Sequence, residues 1–245
     1  MFFDEIFNKH IKRKKINYNL CYLKTVPSTN LYAWKHESEL SHGTVIITKN
    51  QTRGMGRRGT EWFSSQNNSL TFSLIIKENK KYDKLLSLKT GISIIEGIKK
   101  YIKINCQLKW PNDIIAHNKK IGGILIERKK NKLVIGIGIN VKENLKHIDP
   151  SIQNDTTSLK IISNLSIELE QLLANILNQF ELIYYEINNE KIIQKWEKYC
   201  NHMNRNIKFH RNNIIINGIF KGLHKNGSAI IKNKKENIYI SGSIY

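Results

Sequence analysis

Short runs of β-branched and aliphatic residues alternate in this chain with two long amphipathic segments, and this order limits the folds available to it. Leu85, Leu88 and Ile92 begin an apolar stripe along residues 83–103, and residues 169–184 carry a second stripe. Both have the spacing of a helix with one buried face. The run 44–48 is typical of a buried strand. Strands and helices in this mixed order predict an α+β fold with a mixed sheet.

Weaker patterns complete the outline of the fold. Further strands are predicted at 17–26, 70–76, 123–127 and 133–139, and further helices at 31–40 and 190–199, while residues 107–109 and 114–115 flank the segment 110–113. Residues 27–30 can cap the first of these helices, and Ser166 is the expected N-cap of the helix that contains Leu169. From residue 214 the chain turns to short strands with glycine turns, at 214–216, 219–223, 229–231 and 238–240. We therefore expect two domains, residues 1–198 and a small β domain at 199–245.

Composition excludes several classes of protein. The net charge of +20 comes from lysines spread along all 245 residues, whereas a nucleic-acid footprint is a localised and often arginine-rich patch. This favours a solvated surface. No apolar run approaches the ~18 residues of a membrane span, and Asp4 and Glu5 interrupt any signal peptide. Cys21, Cys106 and Cys200 are too scattered for a zinc ribbon or a disulfide framework, so we expect a reducing, cytoplasmic location.

A glycine- and arginine-rich loop is the first candidate for chemistry. Residues 54–59 match G-x-G-x-x-G, but they lead into residues 60–64 and another strand, whereas the dinucleotide fingerprint opens a helix. Three of the seven arginines lie between Arg53 and Arg58. Closely spaced glycines expose backbone N–H groups, and arginines add permanent charge, so the loop suits an anion. A flexible hairpin tip with incidental arginines is the alternative.

Three more motifs follow, each ambiguous by itself. Lys109-Trp110-Pro111-Asn112-Asp113 sets a cation, an amide and a carboxylate at fixed offsets around a stiff proline, or is merely a capped turn. Residues 119–125 place two glycines beside Lys120, or form a basic hairpin. Residues 136–140 carry glycines at alternate positions, which removes side chains from one strand face and predicts a slot for a flat ligand, with Asn140 at its end.

Taken together and in this order, the motifs closely resemble those of the biotin protein ligases. The resemblance rests on Ser28-Thr29-Asn30, on residues 51–59 with Trp62, and on the motifs at 109–113, 120–125 and 136–140, and it covers roughly residues 18–141. It implies a mixed-sheet catalytic domain of the biotin/lipoate ligase type followed by a small SH3-like β-barrel. It also implies a two-step reaction. Biotin and ATP, with Mg²⁺, give biotinyl-5′-adenylate, and the biotinyl group then passes to a lysine of a biotin carboxyl carrier protein.

The resemblance also implies roles for single residues. Joining the biotin carboxylate to the α-phosphate brings two anions together, which requires positive groups placed in advance. The implied catalytic residues are Arg57, Lys120 and Asp113, the last of which we expect to orient or deprotonate the acceptor lysine. The implied biotin-binding residues are Ser28, Thr29, Asn30, Gln51, Met55, Gly56, Arg57 and Lys120. The implied ATP-binding residues are Gly54, Arg58, Trp62, Lys109, Asn112, Asp113 and Asn140.

Departures from the family pattern leave alternatives open. Met55 stands where the family usually has arginine, so a degenerate, inactive ligase is one alternative. A lipoate–protein ligase shares the catalytic fold, but its R-R-x-S-G-G-G stretch and H-D pair are absent. A non-catalytic, basic nucleic-acid-binding module would leave the motifs unexplained. Roughly 20 residues precede the first expected strand, too few for a winged helix-turn-helix, so no sequence-specific DNA binding and no membrane partner are expected, whereas a homodimer is left open.

Overall fold

A computed structural model of the chain describes residues 4–12, 15–64, 68–78, 83–143, 150–211, 214–233, 237–240 and 243–244. The helices are α1 Asp4–His10, α2 Thr29–Lys35, α3 Leu86–Tyr101, α4 Pro150–Gln153, α5 Leu159–Ser163, α6 Leu169–Tyr184 and α7 Asn189–Tyr199. The strands of a first sheet are β1 Asn19–Leu23, β2 Thr44–Thr48, β3 Ser69–Lys77, β4 Cys106–Lys109, β5 Asp113–Ala116, β6 Lys119–Lys129 and β7 Lys132–Asn140. Those of a second are β8 Asn206–Arg211, β9 Ile214–Leu223, β10 Ala229–Lys232, β11 Asn237–Ile240 and β12 Ser243–Ile244.

The first sheet is mixed, as expected. Its strand order is β1-β2-β3-β7-β6-β5-β4, in which β1 and β2 run parallel and every other pair is antiparallel. The central pair, β3 with β7, is in register from Ser69 opposite Asn140 to Lys77 opposite Lys132. All of β3 except its last residue is buried, because layers of helix cover both faces of the sheet.

The two faces carry different helices. Helices α3 and α6 pack against each other over one face, where Gly97 allows close approach because a Cβ there would lie 2.6 Å from Cα of Ile176. Helix α2 covers the other face, where Ala33 packs in a small cluster with Ile46 and Val134. This second face also bears Gly136 and Gly138, since alternate residues of β7 share a side of the sheet.

Most predicted elements of the first domain are confirmed within a few residues, and two details differ. Helix α2 ends at Lys35 rather than near residue 40. Ser166 is not the N-cap of α6; Glu168 holds that position, with no side-chain capping bond. Ile167 is fully buried, and the backbone N–H of Glu168 donates to the Tyr101 hydroxyl at 3.0 Å, so the chain stays extended for two further residues.

The second sheet has the order β11-β10-β9-β8-β12, and the two strands expected at 214–216 and 219–223 form the single strand β9. Among the residues described, no pairing joins β11 to β12, so the SH3-like barrel stays a prediction, as does a boundary at residue 198. The sheet packs against the turn between β4 and β5: Nε1 of Trp110 donates to the Gly227 carbonyl at 3.0 Å, and the Trp110 and Phe209 rings lie 6.1 Å apart. Within the described ranges, no helix has the length and hydropathy to cross a membrane.

Candidate functional site

A cleft of about 270 Å³ lies on the α2 face of the first sheet, between the first turn of α2, strands β6 and β7, and the loop after β2. Most of the residues proposed for binding and catalysis line it, namely Ser28, Thr29, Asn30, Gln51, Met55, Gly56, Arg57, Arg58, Trp62, Lys109, Asn112, Asp113 and Lys120. Gly54 and Asn140 do not. The topology therefore brings residues of all five motifs to one place.

The start of α2 forms the polar end of the cleft. Ser28 is the N-cap, and its Oγ accepts the backbone N–H of Leu31 at 3.5 Å. The backbone N–H of Thr29 donates to Oε1 of Gln51 at 2.8 Å, which ties the helix to the loop after β2. Ser28 and Thr29 are almost fully buried, yet they line the cleft.

Three residues that sequence reasoning did not select support this end. Oγ of Ser73 lies 2.6 Å from Oδ1 of Asn30, and Nδ2 of Asn30 donates to Oε2 of Glu127 at 2.8 Å. Nε1 of Trp34 donates to the same Glu127 oxygen at 3.2 Å. Ser73 is a polar residue inside the largely apolar strand β3, and Glu127 is an acid within strand β6. These interruptions of the strand pattern are the signals by which the sequence could have identified them.

The glycine-rich loop is a tight hairpin, not the start of a helix. The backbone N–H of Gly56 donates to the Thr60 carbonyl at 2.7 Å, and that of Trp62 to the Gly54 carbonyl at 2.9 Å. Its tip is a single 3₁₀ turn in which Arg58 has φ of 57°. A Cβ on Gly54 would lie 2.2 Å from the Trp62 carbonyl oxygen, so this glycine closes the hairpin. The hairpin leads to β3, which excludes the dinucleotide-binding interpretation.

The expected slot over β7 is filled by the protein's own side chains. A Cβ on Gly138 would lie 2.3 Å from Cε2 of Trp62, and one on Gly136 would lie 2.4 Å from Oδ1 of Asn30. The two glycines thus let Trp62 and Asn30 pack directly on the sheet. The prediction of an open slot is wrong, because these two side chains fill it. Nε1 of Trp62 and Oγ1 of Thr71 are buried with no hydrogen-bond partner among the described residues, and both residues line the cleft. Buried polar atoms of this kind suit a polar ligand.

Two of the cations that line the cleft, Arg57 and Lys120, have polar side chains beside them. Nη1 of Arg57 donates to Oδ1 of Asn112 at 3.4 Å, and Nδ2 of Asn112 donates to the Ile124 carbonyl at 2.9 Å. Burial lowers the pKa of the Arg57 guanidinium; Arg58 acts in the same direction and Asp113 opposes it. Arginine nevertheless keeps its charge in proteins. Nζ of Lys120 lies 2.7 Å from Oδ1 of Asp113.

Asn140 acts from outside the cleft. Its Nδ2 donates to the Thr157 carbonyl at 3.2 Å. The Thr157 backbone N–H donates to the Lys120 carbonyl at 3.0 Å, and the Lys120 N–H donates to the Asp155 carbonyl at 2.7 Å. Asn140 therefore holds the segment 155–157 against the backbone of Lys120. Its predicted contact with ATP stays a prediction that this geometry does not favour.

The cleft offers little to hold a metal ion by itself. Its carboxylates are Asp113 and Glu61, and the described part of the chain contains no group of three or more His, Cys, Asp or Glu side chains placed to hold a metal. Mg²⁺ is commonly held by one or two carboxylates together with substrate phosphates. The residues present therefore fit a metal ion that arrives with a nucleotide.

Known proteins with the same architecture identify the family. The model of the Biotin/lipoate A/B protein ligase family matches residues 22–144. The structure of the biotin protein ligase from Aquifex aeolicus in complex with biotin and ATP has a TM-score of 0.83 at 30% identity, covering 93% of this chain and 97% of that one. The bifunctional ligase/repressor BirA of Bacillus spizizenii is 29% identical over 225 residues, 86% of this chain and 67% of the relative. The biotin--[acetyl-CoA-carboxylase] ligase of Mycobacterium tuberculosis is 28% identical over 145 residues, 57% of this chain and 53% of the relative. The chain thus belongs to the biotin/lipoate A/B protein ligase family, and within it to the biotin protein ligases.

Proposed function

We propose that this protein is the ligase that forms biotinyl-5′-AMP from biotin and ATP and then transfers the biotinyl group to a lysine of a carboxylase carrier protein. The observation that carries the proposal is the layout of the cleft. It is lined both by uncharged hydrogen-bonding groups at Ser28, Thr29 and Gln51 and by the cations Arg57 and Lys120. Biotin has a neutral ureido ring and a carboxylate, which these two kinds of group complement.

The first step joins two anions. A carboxylate oxygen of biotin attacks the α-phosphorus of ATP, a C–O–P anhydride forms, and the bond to the pyrophosphate leaving group breaks. Arg57 and Lys120 are proposed to reduce the repulsion and to stabilise the charge that develops on the phosphoryl oxygens. Asn112 contributes indirectly, because its contacts with Arg57 and with the Ile124 carbonyl keep the guanidinium beside the cleft.

The second step uses the acceptor lysine. Its neutral amine attacks the carbonyl carbon of the anhydride, the amide bond forms, AMP leaves, and the amine loses a proton. We propose that Asp113 orients the incoming amine and assists that proton loss, as well as holding Lys120. Its carboxylate is partly exposed and borders the cleft, so an amine that enters from solvent can reach it.

The remaining partners are proposed on narrower grounds. Mg²⁺ accompanies ATP, Trp62 and Arg58 contact the nucleotide, and Met55 and Gly56 contact biotin mainly through their backbone. The C-terminal sheet is proposed to be SH3-like. The three thiols are free and suit a cytoplasmic location, in line with the sequence expectation. A homodimer and the absence of DNA binding stay predictions.

The direct test is incubation with biotin, ATP, Mg²⁺ and a biotin carrier domain, followed by mass spectrometry of the intact carrier. We expect the mass to rise by one biotinyl group, and a carrier whose target lysine is arginine to stay unchanged. A parallel reaction with lipoate and a lipoyl domain separates the two activities of the family. The proposal would be contradicted if only the lipoyl domain were modified, or if neither biotin nor lipoate caused pyrophosphate release.

A further inference from the structure

Two residues of the cleft, Thr71 and Trp62, carry buried polar atoms that have no hydrogen-bond partner among the described residues, Oγ1 and Nε1 respectively. Thr71 as a whole is only 4% exposed. The other buried side-chain atoms without a partner in the described ranges belong to Ser64, Glu78 and His202, which do not line the cleft. Because buried polar groups are normally paired, these two atoms indicate that a ligand in the cleft supplies their partner.

The register of the sheet brings the two atoms to the same part of the cleft floor. Thr71 of β3 lies directly opposite Gly138 of β7, so the side-chain positions of the two residues share the α2 face of the sheet. A Cβ on Gly138 would lie 2.6 Å from Nε1 of Trp62. Opposite Cβ positions in an antiparallel pair are about 5 Å apart, so the indole N–H lies beside Thr71. No hydrogen bond joins the two groups.

The chemistry of the two groups defines a partner that suits both. An indole N–H only donates a hydrogen bond, whereas a hydroxyl donates one proton and also accepts. A single atom that bonds to both groups must therefore be an acceptor, and Thr71 must donate its proton to that atom. Carbonyl, carboxylate and phosphate oxygens are acceptors of this kind, and both biotin and ATP carry some of them.

We propose that Thr71 is a substrate-binding residue, and that its hydroxyl and the N–H of Trp62 together hold one acceptor atom of a substrate in the cleft. That the substrate is biotin or ATP rests on the proposed function. In the free protein the Thr71 hydroxyl is buried without this bond, which costs free energy. Thr71 therefore lowers the stability of the free protein and contributes to substrate binding, and removal of the hydroxyl should change both properties in opposite directions.

Thr71→Val tests this, because it removes the hydroxyl and keeps the shape of the side chain. We expect the Tm of the free protein to rise by about 2–4 °C, since an unpaired buried group is gone. The Kd of one substrate, biotin or ATP, should rise about fivefold in calorimetry, the effect of one hydrogen bond, and the Kd of the other should stay within twofold. Thr71→Ser keeps the hydroxyl and should bind both substrates as the wild type does. Thr90→Val is the matched control: Thr90 is also buried but lies outside the cleft, and its hydroxyl donates to the Leu86 carbonyl at 2.8 Å, so its Tm should not rise and both Kd values should stay unchanged.

Trp62→Phe removes the indole N–H and keeps an aromatic ring. If one acceptor atom serves both groups, Thr71→Val and Trp62→Phe weaken the binding of the same substrate, and that substrate carries the acceptor. The proposal is overturned if the two variants weaken different substrates, if Thr71→Val weakens both substrates equally or neither of them, or if its Tm falls. A wild type that binds neither biotin nor ATP would instead contradict the proposed function itself.

Discussion

Nζ of Lys120 and Oδ1 of Asp113 are 2.7 Å apart, so the cation proposed to meet the reacting anions is already paired with a carboxylate. Both side chains are partly exposed, so the pair itself adds little to the free energy of unfolding. Its value lies in position, because it holds a flexible lysine at the cleft before a substrate arrives.

Asp113→Asn keeps the shape of the side chain and removes its charge. We expect pyrophosphate release from biotin and ATP to slow by about tenfold, because Lys120 loses its fixed position. Transfer from preformed biotinyl-adenylate should slow as well. Rapid-quench measurement of each step separates the two, with the exposed Glu190→Gln as the matched control. If transfer from preformed adenylate is unchanged, Asp113 has no role toward the acceptor amine.

Arg57→Met and Lys120→Met each remove one positive charge from the cleft. We expect adenylate formation to fall by roughly 10²-fold in each, the usual loss for a group that stabilises developing charge. Single-turnover formation of labelled biotinyl-AMP is the measurement, and Lys198→Met, an exposed lysine on α7, is the control. Variants that form the adenylate at the wild-type rate would contradict the proposed roles.

Met55→Arg restores the residue that the family usually has in the loop. The Met55 side chain lines the cleft and is 37% exposed, so a guanidinium has room to reach an anionic ligand. We expect biotinyl-AMP to dissociate several times more slowly, since charge-assisted hydrogen bonds to phosphate are strong. Release of labelled adenylate measures this. An unchanged dissociation rate would mean that position 55 contributes backbone alone.

Gly138→Ala tests the packing of Trp62 on the sheet. A Cβ at this position would lie 2.3 Å from the indole, so the ring must move. We expect the fluorescence of Trp62 to change and the KM for ATP to rise severalfold. Gly123→Ala is the comparison, because its Cβ would lie 3.6 Å from both Cε of Lys120 and Cζ3 of Trp62, an ordinary contact that leaves the ring in place. If both substitutions raised the KM for ATP equally, the position of the Trp62 indole would have no specific role in ATP binding.

His202 predicts a pH dependence of stability. Burial lowers the pKa of its imidazole from 6.5 to about 4, with Lys109 and Arg205 acting in the same direction. Between pH 6.5 and pH 4 the unfolded chain therefore binds a proton that the folded protein does not. The contribution of His202 to the free energy of unfolding is complete above pH 6.5 and is lost as the pH falls toward 4. The loss approaches roughly 3 kcal/mol. Urea unfolding at pH 7 and pH 5 checks this, and His202→Phe, which keeps an aromatic ring beside Phe220, should show a smaller loss. The same pH dependence in both proteins would contradict it.

Sequence reasoning found the motif residues but not their supports. The 44–48 strand and the long helices follow from local periodicity, and the order of motifs marked most of the residues that line the cleft. Ser73, Glu127 and Trp34 were missed because their importance arises from contacts between residues far apart in sequence. The register of β3 and β7, which sets Ser73 opposite Gly136, decides those contacts, and local patterns carry little information about it. The filled slot was missed for a related reason, since a glycine in a strand does not tell whether a ligand or a neighbouring side chain comes close.

The bond from Trp110 to the Gly227 carbonyl ties the C-terminal sheet to the turn that carries Asn112 and Asp113. Removing the residues beyond 205 would remove the hydrogen-bond acceptor of this indole and the Phe209 ring beside it. Apolar surface next to Asn112 and Asp113 would then be exposed to solvent. We therefore expect the small sheet to stabilise the turn that carries Asn112 and Asp113, and we expect a truncated chain to lose ligase activity even though every residue that lines the cleft remains.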